Sequence, residues 1–196
     1  MVAEERRRAI IDAFVPLLNQ HGHNVTTKQI AEAAGIAEGT IFRVFPDKQA
    51  LLRATAEQII NPPGGREQME LLLKPIPDLR GKIVATAEHI VERMEQMMIV
   101  MMALRATFMA EGRQSPAEPP GPPAFIVKAN EAMLAALTEL LFNPHRAELR
   151  VTPAKAAVLL RSLVFGAWHP GTDAKHRPTA KEIADLFLHG VAENDR

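Results

Sequence analysis

Three residues near the start of the chain, Gly39, Thr40 and Arg43, have the types and the spacing to contact nucleic acid. A guanidinium donates paired hydrogen bonds to a guanine edge or to phosphate oxygens, a hydroxyl bonds to either, and glycine lets another backbone approach closely. The apolar residues Ile41 and Phe45 fall on or near the inner face of the helix that this spacing predicts. The three residues are therefore expected to point outward.

Two short helices joined by a turn are predicted to position these residues. The first begins after Thr26, whose hydroxyl can accept from the N–H of Gln29 while the Gln29 amide reaches back, an arrangement known as a capping box. Gly35 supplies the left-handed conformation that ends this helix. The second helix is predicted over residues 38–44. A helix, a glycine-containing turn and a second helix with small polar and basic residues outside are typical of a DNA-binding helix-turn-helix.

The segment resembles the N-terminal domain of TetR-family transcriptional regulators, whose pattern is roughly T-x-x-x-I-A-x-x-A-G-V-S-x-G-T-L-Y-x-x-F-x-x-K-x-x-L. The matching residues are Thr26, Ile30, Ala31, Ala34, Gly35, Gly39, Thr40, Phe45, Lys48 and Leu51, with Ile36 and Ile41 as close substitutes. The resemblance implies an all-α chain. It also implies a three-helix DNA-binding domain at residues 1–53 and a helical effector-binding and dimerisation domain at residues 54–196.

Three positions depart from the family pattern. Ala37 replaces the usual serine and has no side-chain oxygen for capping or for a phosphate contact. Glu38 stands where a basic or polar residue is common, and its carboxylate would repel phosphate. Phe42 replaces tyrosine and loses a hydroxyl while keeping the ring. These changes affect the expected phosphate contacts and leave the docking mode as it is.

The predicted contacts to DNA divide into two groups. Arg43 and Thr40 are the candidates for base edges, with Gly39 allowing close approach. The candidates for the sugar-phosphate backbone are Thr26, Thr27, Lys28, Phe42 and Lys48.

Lys48 follows the predicted N-cap Asp47, and an ammonium beside a positive helix end is favourable only if an anion is bound there. The matching lysine of the family touches phosphate. The arginine run at residues 6–8 either contacts phosphates or is a solvated charged end balanced by Glu4 and Glu5.

A methionine-rich segment lies in the helical stretch predicted from Asp78 to about Gly112, which forms one or two helices. Methionine fills irregular gaps in a core, and it also lines pockets that adapt to varied apolar ligands. Both interpretations stay open. The candidate effector contacts are Met94, Met97, Met98, Met101, Met102, Phe108 and Phe125. Phe125 belongs to a helix predicted from about Ala124 to Phe142. A Pro-rich loop is predicted before this helix, at residues 113–123.

The last two helices have clear start signals, Thr152-Pro153 and the capping box from Thr179 to Glu182. The helix over residues 153–168 is apolar almost all round, so it needs cover on both sides. One side fits the chain's own core and the other a second subunit, although a purely intrachain core is an alternative. In the family the two helices build a four-helix bundle across a dimer axis. The interface candidates are Ala157, Leu160, Val164, Ile183, Phe187 and Val191.

Composition excludes several classes of site. The 196 residues contain no cysteine, so disulfides and thiolate chemistry are absent. The N-terminus does not resemble a signal peptide, and the apolar run at residues 97–104 is much shorter than the roughly 20 residues of a membrane span. We therefore expect a cytoplasmic protein. No metal site or cofactor is expected, because the histidines lack ligand spacing, and the nucleophile, phosphate-loop and dinucleotide motifs of enzymes are missing.

Taken together, these patterns predict a homodimeric, sequence-specific DNA-binding regulator that is not an enzyme. We expect a repressor that binds a palindromic operator and is released by a small apolar effector. The alternative is a regulator of the same fold that is controlled by a protein partner, with an all-α enzyme third. The formal net charge is zero and residues 1–53 are nearly balanced, so the DNA prediction depends on the motif and not on overall charge.

Overall fold

The computed structural model describes residues 3–110, 124–168 and 173–191, which form nine α-helices. Their bounds in chain order are α1 Ala3–His21, α2 Thr27–Ala33, α3 Glu38–Val44, α4 Lys48–Ile60, α5 Gly65–Leu73, α6 Leu79–Ala110, α7 Ala124–Ala136, α8 Pro153–Ala167 and α9 Ala180–Val191. The helices make two compact units, one within Met1–Pro62 and Met94–Pro123 and the other within Pro63–Arg93 and Ala124–Arg196. The predicted all-α class is confirmed.

The first unit is built around apolar residues from α1 to α4 and from the C-terminal part of α6. α1 buries one stripe, and α6 contributes Val100 and Ala103 to the same core. The large buried side chains of this core are Ile10, Phe14 and Leu18 of α1, together with Ile30, Ile41, Phe45, Leu51 and Leu52. α2 and α3 are only seven residues long, so packing on this core, and not their own helix propensity, holds them in place.

The predicted helix starts in the first unit are confirmed. The Gln29 N–H donates to the Thr26 hydroxyl at 3.2 Å, and the Thr26 N–H donates to the Gln29 side-chain oxygen at 2.8 Å. Asp47 caps α4 by accepting from the Ala50 N–H at 2.6 Å. Gly35 has φ of +64° in the turn after α2, which is the left-handed conformation expected of it.

The second unit packs α5, the N-terminal part of α6, α7, α8 and α9 around its own core. α7 continues through a π-helical turn at Leu137–Phe142 and a 3₁₀ turn at Asn143–Glu148. The rings of Phe142 and Phe187, both buried, have centroids 5.6 Å apart. The Arg80 guanidinium donates to both oxygens of the Asp185 carboxylate at 2.7 and 3.0 Å, which joins α6 to α9.

The structure differs from the sequence prediction in two helices. α6 is one continuous helix, where the sequence predicts either one helix or two. The sequence does not predict α5, because the Pro62-Pro63 pair and the glycines beside it indicate a break in helical structure. The apolar stripe of α5 is short, and its buried residues are Met69 and Leu73. The predicted Pro-rich loop at residues 113–123 lies outside the described residues. The predicted domain boundary after residue 53 falls within α4 and stays a prediction.

The interface candidates on α8 and α9 need correction. Ala157, Leu160, Val164, Ile183 and Phe187 are each at most 2% exposed in a single chain, so they belong to its own core. The side chain of Val191 lies outside the described residues. The apolar side chains that face outward on these two helices are instead Val158, Leu163 and Phe165 on α8 and Leu186 on α9.

Within the described residues, no helix combines the length and the apolarity that crossing a bilayer requires.

Candidate nucleic-acid interface

α3 presents four of the predicted DNA contacts away from the core of the first unit. Ile41 and Phe45 are buried, and this fixes the helix about its axis. Gly39 and Arg43 are exposed, Thr40 is half-buried, and Phe42 leaves 51% of its surface exposed. The outward face of α3 therefore carries a guanidinium, a hydroxyl and an aromatic ring next to a glycine.

Gly39 has open space where a side chain would stand. A Cβ built at this position meets no atom of the described chain within 4 Å, and the residue has an ordinary helical φ. Nothing inside the protein therefore requires glycine here. The lack of a side chain leaves space at the N-terminal end of α3, and the close approach of DNA at this position stays a prediction.

Thr27 and Glu38 are joined across the helix-turn-helix. The Thr27 hydroxyl donates to a Glu38 carboxylate oxygen at 2.5 Å. The carboxylate stands in the first turn of α3, where the partial positive charge of the helix end favours it. The sequence predicted repulsion of phosphate by Glu38 and did not predict this bond, which needs two residues eleven positions apart to meet.

Lys48 is held by the chain itself. Its ammonium donates to the backbone carbonyl oxygens of His23 and Val25, each at 2.6 Å. Burial lowers the pKa of the Lys48 ammonium from its ordinary value. The residue thus connects the start of α4 to the segment before α2. Its predicted role at a phosphate stays a prediction, and only the remaining N–H of the ammonium is available for it.

The other predicted backbone contacts differ in how they are engaged. Lys28 is exposed on α2. Thr26 is exposed, and its hydroxyl both accepts from the Gln29 N–H and donates to the Gln29 side chain. In the arginine run at the start of α1, the Arg7 guanidinium lies 4.7 Å from the centre of the buried Phe45 ring. Arg7 therefore packs on the core, while Arg8 is exposed.

The candidate effector residues fall in different environments. In the first unit Met97 packs against the core, whereas Met98, Met101 and Met102 are exposed, the last by 62%. Met94 is half-buried there. Phe125 is half-buried in the second unit, and the side chain of Phe108 lies outside the described residues. Core packing and ligand contact therefore both stay open for this segment.

No group of three His, Asp or Glu side chains that could hold a metal ion occurs in the described ranges.

Comparison with known proteins identifies the N-terminal segment. Residues 10–55 match the family model described as bacterial regulatory proteins, tetR family. The chain is also 34% identical over 84 residues to the HTH-type transcriptional regulator BetI of Yersinia pestis (strain Pestoides F), a stretch that covers 42% of each protein. The chain thus spans about two fifths of the length of the curated relatives that it matches.

Solved structures resemble the whole chain. The TetR transcriptional regulator SCO0520 from Streptomyces coelicolor is 21% identical, with 96% of this chain and 99% of that chain covered at a TM-score of 0.60. A transcriptional regulator from Cytophaga hutchinsonii is 15% identical, with 94% and 97% covered at a TM-score of 0.64. At these identities the resemblance concerns the fold.

Proposed function

Because the chain belongs, through the domain at its N-terminus, to the TetR family of transcriptional regulators, we propose that it is a homodimeric, sequence-specific repressor. In this proposal α3 of each subunit lies in the major groove of an operator. An effector that binds the predicted C-terminal domain, residues 54–196, and prefers the state unable to bind DNA releases the operator.

One observation carries the DNA-binding proposal. α3 is anchored by buried Ile41 and Phe45, while Gly39, Phe42 and Arg43 on its other side are exposed. An exposed aromatic ring beside a guanidinium and an open glycine is an unusual surface for a helix that only supports its own domain. It suits a helix whose outer face is covered by a duplex.

The proposed contacts follow from where each side chain stands. Arg43 and Thr40 meet base edges, and Gly39 allows the backbone of α3 to approach the groove. Lys28 and Phe42 meet the sugar-phosphate backbone. Thr26, Thr27 and Lys48 hold the helix-turn-helix together through the bonds described above. The backbone N–H of Thr27 and the third N–H of the Lys48 ammonium meet phosphates at the same time.

The proposed dimer uses the outward faces of α8 and α9. Val158, Leu163 and Phe165 are exposed on α8, and Leu186 is 62% exposed on α9. Exposed apolar side chains that share neighbouring helices are typical of a surface that a partner covers. A two-fold dimer places two copies of α3 in successive major grooves, so the operator is palindromic, with half-sites about one helical turn apart.

The test begins with selection of binding sites from random duplexes by the full-length chain. An enriched palindrome is expected. Arg43→Ala should then weaken binding and change the preferred bases, while Lys28→Ala should weaken binding evenly across sequences and reduce its salt dependence. Arg150→Ala removes an exposed arginine of the second unit and is the matched control. Failure to enrich any sequence, or equal binding by all three variants and the unchanged protein, contradicts the proposal.

A further inference from the structure

Buried polar atoms without partners are concentrated in the second unit. Five such side-chain atoms occur among the described residues, and all five belong to this unit: Thr86 Oγ1, Arg93 Nη2, Asn130 Oδ1, Arg161 Nε and Arg177 Nε. A buried polar atom without a hydrogen bond destabilises a protein, and the cost is larger when the group is charged. Such atoms therefore need an explanation, and a functional role is one of the accepted explanations.

Arg93 is the least compensated of the three arginines. The guanidinium of Arg161 lies 5.2 Å from the ring centre of Phe165, and that of Arg177 lies 4.7 Å from the ring centre of Trp168. Within the described part of the chain, Arg93 has neither a ring nor an ion pair, and the opposite charge that raises its pKa is that of the exposed Glu92 beside it in sequence.

Thr86 differs from comparable buried threonines. Thr55 donates its hydroxyl to the carbonyl of Leu51 at 2.8 Å, and Thr138 donates to the carbonyl of Leu134 at 2.7 Å. These are the usual bonds of a threonine inside a helix, to the carbonyl four residues earlier. Thr86 is fully buried in α6, yet its hydroxyl has no hydrogen-bond partner among the described residues. The Thr86 hydroxyl therefore lacks the bond to its own helix that Thr55 and Thr138 make.

Thr86, His89 and Arg93 lie on one side of α6, because residues three, four and seven positions apart share a helix face. Burial and then the neighbouring Arg93 charge lower the pKa of His89, so its imidazole is neutral at pH 7. Burial also lowers the pKa of Arg93, but a guanidinium keeps its charge in proteins. The face thus combines one unpaired positive charge with a hydroxyl and an imidazole that can form hydrogen bonds.

We propose that this face of α6 binds the carboxylate of an organic acid, with Arg93 as its charge partner and Thr86 and His89 as hydrogen-bond partners. The inference rests on the proposed function, since this acid would be the effector, and it changes the expected ligand from purely apolar to amphipathic. One unpaired guanidinium matches one negative charge. The apolar body of the acid is inferred from the residues that α6 buries around the same positions, Ile83, Ala87 and Ile90.

Calorimetric titration of the full-length protein tests the site. The probes are decanoate and naphthalene-2-carboxylate, each paired with its neutral amide, and decyl phosphate as the dianionic alternative. We expect at least one carboxylate to bind at least about tenfold more tightly than its amide, as a charge-assisted hydrogen bond allows, and more tightly than decyl phosphate. Arg93→Gln should remove this preference, while Arg150→Gln, which changes an exposed arginine of the same unit, should keep it.

The Thr86→Val variant tests whether a loss of carboxylate binding could be caused by a loss of folding. It removes a hydroxyl that bonds to no residue in the described ranges, so its melting temperature should equal or exceed that of the unchanged protein, while its affinity for the carboxylate falls. No binding by either carboxylate up to its solubility limit, equal binding of acid and amide, tighter binding of decyl phosphate, or unchanged affinity in Arg93→Gln overturns the inference. Operator binding is measured separately. If the protein binds its operator but no carboxylate, only this inference is contradicted. If it binds a carboxylate but no DNA duplex, only the proposed function is contradicted.

Discussion

The Thr27 hydroxyl donates a 2.5 Å hydrogen bond to the Glu38 carboxylate, and this bond ties the first turn of α2 to the first turn of α3. The orientation of α3 relative to α2 therefore depends on an acidic residue, although α3 is the helix proposed to approach phosphates. In the proposed complex with DNA, Glu38 has two opposing effects. It positions α3, and it places a negative charge near the duplex.

Glu38→Gln separates these two effects. The glutamine side-chain oxygen still accepts from Thr27, so the arrangement of the two helices is kept, while the negative charge is lost. We expect affinity for duplex DNA to rise about fivefold at low salt and by less at high salt, because salt screens exposed charges. Fluorescence anisotropy at two salt concentrations measures the change.

Glu57→Gln provides the matched control for Glu38→Gln, since Glu57 is an exposed carboxylate on α4. Its effect on affinity should be smaller. If Glu38→Gln binds DNA no better than Glu57→Gln at low salt, Glu38 does not lie near the phosphates.

Lys48→Met is expected to destabilise the protein. The methionine keeps the apolar stem but leaves the carbonyl oxygens of His23 and Val25 without their donor. A loss of about 1–2 kcal/mol in the free energy of unfolding is expected when these two acceptors, of which that of Val25 is partly buried, lose a charged donor. Urea unfolding measures it.

Lys28→Met is the comparison for Lys48→Met, because Lys28 is exposed on α2. It should leave the unfolding free energy within about 0.5 kcal/mol of the unchanged protein, as is usual at surface positions, and still weaken DNA binding. Equal stability of the two variants would show that the Lys48 bonds contribute nothing.

Gly39→Ala should impair DNA binding without impairing the fold. The added methyl group meets no atom of the described chain within 4 Å, and alanine is the better helix former by about 0.5–1 kcal/mol. Unfolding should therefore show equal or higher stability, while operator affinity falls because the methyl group occupies the space next to the groove. Gly35→Ala, at a φ of +64°, should instead lose stability. Full operator binding by Gly39→Ala would rule out close approach at this position.

Leu186→Glu should convert the proposed dimer to monomers. Leu186 is 62% exposed on α9, so a charge there is tolerated by a single chain but is buried in the proposed interface. Light scattering coupled to size exclusion gives the molar mass. Leu71→Glu is the matched control on α5, where the leucine is 70% exposed, and it should remain dimeric. A dimeric Leu186→Glu protein would place the interface elsewhere.

Local signals were sufficient for most helix boundaries. The capping box of Thr26 and Gln29, the cap at Asp47 and the left-handed Gly35 each involve residues within a few positions of one another, so the sequence alone determined where α2 and α4 begin and where α2 ends. The alternation of buried and outward residues on α3 was determined in the same way. The repeat of side-chain directions is a property of the α-helix itself, so it can be predicted without knowing which surface the helix packs against.

Only the tertiary structure decided which apolar face is interior and which polar groups are paired. α8 is apolar on more than one side, so its sequence could not tell Leu160, which is buried in its own subunit, from Val158, which is exposed. The bonds of Lys48 to Val25, 23 positions away, and of Thr27 to Glu38 depend on distances across the fold. Helical periodicity places side chains around one axis, but the position of one axis relative to another follows from packing, which no short stretch of sequence contains.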